Sequence, residues 1–181
     1  MHVLLEGSFG HVLALFIKRS VDVGDITLEF VNNKLDTFPY SYLDRSDKPK
    51  LISMKDIEDN TYIRQKAASS LLLAYILPFI FGQRLDETND YYRHFLGMVQ
   101  LVQFSFSSVA DTTSIGELAQ LIYSYCSKFV ELYPEVTPKP KMHFILHFVQ
   151  QLKEFGPLQN QNTMRFEGKH GYFKDYRWNF F

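Results

Sequence analysis

Residues 114–134, SIGELAQLIYSYCSKFVELYP, decide the fold class. Ile115, Leu118, Leu121, Ile122, Tyr125, Phe129 and Leu132 recur at intervals of three and four, which lines one face of an α-helix. Ser114 followed three residues later by Glu117 reads as an S-x-x-E capping box that opens this helix, and Pro134 closes it. A helix so clearly marked at both ends predicts that its neighbours keep the same period.

Working outward, they do. On the N-terminal side a helix over residues 89–107 is apolar almost all round, and before it another over 61–83 must bend or break at Pro78, which has no amide to donate. Nearer the start, one helix carries Leu4, Leu5, Val12, Leu15 and Phe16 as far as Arg19, and a second follows Asp25 with Ile26, Leu28, Phe30, Val31 and Leu35. Between these and the 61–83 helix stands FPYSYLDRSDKPKLISMKDIEDN, residues 38–60, whose two prolines and many charges make it the clearest loop and the best place for a boundary. On the C-terminal side VTPKPK (136–141) is a short stiff linker, and KMHFILHFVQQLKEFG (141–156) is an amphipathic helix stopped by Gly156-Pro157. QNQNT (159–163) then caps a last helix. No clean alternation marks a strand, so the chain is expected to be mainly α. It divides into a helical region, 1–137, and a basic helical part, 138–181.

The 181 residues suffice for one domain with a real core, and 46% hydrophobic against 22% charged residues excludes a disordered tail. The single Cys126 excludes an internal disulfide framework and any multi-cysteine zinc site, and beside Tyr123 and Tyr125 it reads more simply as a small buried apolar residue than as a nucleophile. The uncharged run AASSLLLAYILPFIFGQ (67–83) is shorter than the roughly 20 apolar residues of a membrane span and includes Pro78 and Gln83, so it reads as a core helix and no membrane partner is expected. The net charge of −1 hides a split, because from Pro138 onward seven lysines and arginines face three carboxylates. A basic end of this kind can meet a polyanion.

Chemistry-bearing residues gather in that end. In the motif TMRFEGKHGYFK (163–174), a helix would set Glu167 beside His170 and Arg165 beside Lys169 on two different sides. One side could hold phosphates while the other faces a site, although an ordinary surface helix would show the same spacing. His143 and His147, four apart, can hold one metal between two imidazoles. Zinc usually takes further ligands, and Phe144 stands where a zinc protease has its glutamate, so a packed or hydrogen-bonded pair is the simpler reading.

Three stretches bear a resemblance: MHVLLEG at the start, FPYSYLDR in the loop, and above all PKPKMHFILHFVQQLKEFGPLQNQNTMRFEGKHGYFK, residues 138–174. They resemble the later part of transposases of the CACTA (En/Spm-like) kind and related transposon-derived proteins of animals. The resemblance is specific in the first seven and last forty or so residues, and is one of pattern and order in the helical middle. It implies an RNase H-like catalytic domain of the DDE/D type, interrupted by a helical insertion, that cuts and joins DNA with two Mg²⁺ ions held by two aspartates and a glutamate. Glu167 looks like that glutamate and would be both catalytic residue and metal ligand. Arg165, Lys169, Lys174 and Lys141 would bind the DNA backbone, and His170, His143 and His147 would support the site. Val3 stands where such proteins often have an aspartate, and the sheet that brings the other carboxylates is missing. The chain is therefore expected to be a nuclear, C-terminal transposase part, inactive alone, with the ends of a parent transposon as partner. Two other readings stand beside it: a non-catalytic DNA- or chromatin-binding helical module, and a helical interaction scaffold that self-associates as a homo-oligomer.

Overall fold

The computed structural model describes residues 3–58, 61–108 and 111–161, and 71% of these are helical with no strand among them. The mainly α expectation holds. The chain begins in a π-helical segment, Leu4–Phe9, that runs directly into α1, Gly10–Asp22. Then come α2, Leu28–Thr37; α3, Met54–Glu58; α4, Ala67–Phe81; α5, Asp90–Ser105; and α6, Thr112–Leu132. A short α7, Pro140–His143, continues through a 3₁₀ turn, Phe144–His147, into α8, Phe148–Phe155.

Helix α1 lies at the centre, with Val12, Leu13, Phe16 and Ile17 fully buried. Phe16 meets Phe95 of α5 at 5.0 Å, stacked, and Phe81 of α4 at 4.9 Å, edge-on. Aromatic pairs in such offset or edge geometry add about 0.5–1.5 kcal/mol each beyond burial, so these rings tie three helices together. α5 and α6 make the most extensive helix pairing, and the α6 face toward it is Leu118, Ile122, Tyr125 and Phe129, all buried. Those four are among the residues whose period marks this helix in the sequence. Met142, Ile145, Phe148 and Leu152 join the same core as Leu4, Leu5 and Phe9.

Element ends depart from expectation in three places, each for a local reason. The N-cap of α6 is Asp111, whose carboxylate accepts from the Ser114 amide at 2.7 Å and from the Ser114 hydroxyl at 2.7 Å, so Ser114 lies inside the helix and the capping box is displaced. α4 starts only at Ala67, because residues 61–66 are held extended: the Ile63 amide donates to the Gly10 carbonyl at 3.1 Å, and Gln65 exchanges two bonds with the backbone of Lys50. α4 also runs through Pro78 and stops only at Gly82, whose amide returns to the Pro78 carbonyl. The run 67–83 is thus a core helix, and no helix among the described residues is long and apolar enough to cross a membrane. The 38–60 segment is pinned to the body: Asn32 makes two 2.8 Å bonds to the backbone of Ile52, and Ile52 and Ile57 are buried.

Candidate functional site

Two of the sequence blocks singled out above, MHVLLEG and PKPKMHFILH, lie far apart in the chain and meet in space. The meeting point is the π-helical segment. A π turn is wider than an α turn and is uncommon outside functional or strained places, because its carbonyls are poorly matched to the amides of the next turn. Here side chains supply the donors. The Glu6 carbonyl accepts from the Tyr62 hydroxyl and from the Lys141 ammonium, the latter at 3.4 Å. Burial pushes the Tyr62 phenol up, so it stays a protonated donor.

Gly7 and Gly10 open the surface on which these partners lie. The Lys141 stem lies directly against Gly7, so a Cβ there would collide with it, and a Cβ at Gly10 would lie 2.6 Å from the Ile63 carbonyl oxygen. The first obstacle is the stem of a flexible side chain and the second is backbone, so Gly10 is the stricter requirement. His11, next along, donates from Nδ1 to the Thr61 carbonyl at 2.7 Å and is 2% exposed. Burial, aided by the nearby charge of Lys139 and opposed by the Thr61 bond, holds His11 below the usual imidazole range. Thr61 itself has φ of 42°, a left-handed conformation that a β-branched residue enters only when its surroundings hold it there. The bond from His11 is part of that hold.

Beyond Lys141 the chain turns over Met142 and Ile145, both buried, and presents His143 and His147 outward. Their Nε2 atoms are 3.3 Å apart, with ring planes at 84°. His143 also borders a cleft of about 290 Å³ with Cys126, Phe129, Val130, Lys139 and Met142. Cys126 is half-buried at this cleft rather than fully buried, and burial raises its thiol, so it stays protonated.

Of the residues singled out in the sequence, the structure therefore brings Lys141 onto the π segment and pairs His143 with His147 at the surface just after it. Glu167, Arg165, Lys169, His170 and Lys174 lie outside the described residues. Among those described, no three His, Cys, Asp or Glu side chains converge as a metal set would. Sequence reasoning missed Glu6, Gly7, Gly10 and Tyr62. A glycine pair three apart in an apolar helical run was the available signal, since glycine weakens a helix unless something needs close approach.

The class defined here is an all-helical domain with a lysine-bearing C-terminal segment docked on a π-helical turn. No protein-family model, curated protein or solved structure matches the chain.

Proposed function

We propose that this chain is the helical part of a DNA strand-transfer protein of the DDE/D transposase type, in which the docked C-terminal segment carries the contacts to DNA. The observation that supports the reading is the contact of Lys141 with Glu6 and Gly7, because it joins two of the blocks on which the resemblance rests. In such a protein Glu167, Arg165, Lys169 and Lys174, which follow the described helices in sequence, carry the chemistry on DNA.

The chemistry assigns different work to the two kinds of residue. Arg165, Lys169, Lys174 and Lys141 attract the phosphate backbone, an interaction that is strong at low salt and blind to sequence. Lys141 spends one donor on the Glu6 carbonyl and keeps others for phosphate. His170 stands three residues past Glu167 and would orient its carboxylate. When bound, Mg²⁺ would activate the attacking oxygen and take charge from the leaving one. Among the described residues no three His, Cys, Asp or Glu side chains converge as its ligands, and in this reading the ion rests on Glu167 together with the two aspartates that the resemblance implies.

The test is binding of a fluorescent DNA duplex across a salt series, with cleavage and joining followed in Mg²⁺. Binding that weakens steeply with salt is expected, and changing Arg165, Lys169 and Lys174 together to alanine should reduce the slope of log K against log salt by about 3. Cleavage should appear only when the missing carboxylates are supplied, and Glu167→Gln should abolish it. Salt-dependent binding without cleavage in any form would favour the non-catalytic DNA-binding module; affinity indifferent to salt would leave only the interaction scaffold.

A further inference from the structure

We propose that His143 and His147 form a two-imidazole chelate for a borderline divalent transition metal, Cu²⁺, Ni²⁺ or Zn²⁺, with the remaining coordination positions open to water. The pair is independent of the Mg²⁺ chemistry above, since imidazole suits these metals and Mg²⁺ prefers oxygen.

Geometry carries the inference. Two nitrogens about 2.0–2.1 Å from one ion lie about 2.9 Å apart at the right angle of tetragonal Cu²⁺ or Ni²⁺ and about 3.3 Å apart at the tetrahedral angle that suits Zn²⁺. The second is the Nε2 to Nε2 separation here, 3.3 Å. The same 3.3 Å also fits a ring-to-ring hydrogen bond in which one Nε2–H donates to the other Nε2, and an ion takes the place of that single shared proton. The two rings stand at 84°, and Phe144 lies between them in sequence with its ring 6.3 Å from His143 and 6.4 Å from His147. Both histidines are exposed, so an ion reaches them from solvent without any rearrangement of the core.

The placement gives the metal a structural consequence. His143 ends α7 and His147 ends the 3₁₀ turn that leads into α8, so one ion bonded to both staples the turn. That turn follows directly on Lys141, whose stem rests on Gly7. Metal bound here stiffens the segment docked on the π turn.

Calorimetric titration of the full chain with Cu²⁺, Ni²⁺, Zn²⁺ and Mg²⁺ tests this, with thermal unfolding read at each metal concentration. One Zn²⁺, Cu²⁺ or Ni²⁺ per chain is expected, Cu²⁺ the tightest and drawing the exposed rings slightly closer, with a rise in Tm and no response to Mg²⁺. Loss of even an outer partner costs metal sites about 10–100-fold in affinity, so His143→Gln and His147→Gln should each weaken Ni²⁺ at least about tenfold and cancel the Tm rise. Both positions are exposed, so both variants fold. Cys126→Ala and His170→Gln should bind as the unaltered chain does, and the Cu²⁺ spectrum should show two nitrogen ligands. Unchanged affinity in both histidine variants, loss with His170→Gln or Cys126→Ala instead, or no binding at all would overturn the proposal.

Discussion

His94 shows how much a single buried residue can set. It is 4% exposed on α5, stacked on Tyr125 at 4.4 Å, with Phe129 and Tyr133 around it, and only its Nε2 finds a partner, the Tyr125 carbonyl at 3.3 Å. Burial lowers its pKa to about 4, opposed by the Tyr125 bond and aided by the charge of Lys128. The folded state therefore holds neutral His94, whereas the unfolded chain takes up a proton near pH 6.5, so protonation favours unfolding. Stability is full above about pH 6.5 and falls as pH drops toward 4, by about 3 kcal/mol from this residue. His11 is shifted the same way and steepens the fall. Denaturant midpoints between pH 7 and pH 4 check this, and the slope should flatten in His94→Phe, which keeps the stacked ring and removes the titration. A slope unchanged in that variant would place the acid sensitivity elsewhere.

At the scale of elements, the limits of helix reading come from what side chains do at the ends. Periodicity located α2, α5 and α6, each of which buries one apolar stripe, whereas α1 was marked by its apolar residues alone, since every residue from Gly10 to Ile17 is buried. It could not tell Asp111 from Ser114 as the N-cap, since both are cap formers three apart and the choice depends on where the chain leaves the preceding turn. The two alternatives separate cleanly by mutation. Asp111→Ala should be measurably destabilising, because two short bonds from Ser114 end on its carboxylate. Glu117→Ala should cost only a few tenths of a kcal/mol, since helix interiors favour both residues nearly equally. Urea unfolding of the two variants reads the difference, and a larger loss for Glu117→Ala would restore the capping box. The π-helical segment was invisible for another reason: its period is close to that of an α-helix over so few residues, and its cause, the Tyr62 and Lys141 donors, lies far along the chain. Lys141 and the histidine pair were legible as residues with chemistry, but the position of Lys141 beside Glu6 was not, because no local pattern encodes a contact across 135 residues.

Across the whole molecule that contact decides how the chain holds together. Ile145 is fully buried, and it belongs to one hydrophobic core that runs from Leu4 to Leu158. The lysine-bearing segment is thus fastened by apolar packing as well as by the Lys141 bond, and a surface lysine bond alone would hold it only weakly. Two consequences follow from one core. Unfolding of the described helices should be a single transition, with helix signal and tyrosine fluorescence changing together. Ile145→Ala should lower the stability of the whole by about 2–5 kcal/mol and shift both signals by the same amount. If the segment were only laid on the surface, Ile145→Ala would free it while the remaining helices kept their midpoint, and the two probes would part. The difference matters for the DNA reading, since a segment fixed to the body presents its cations in one orientation, whereas a loose one offers only charge.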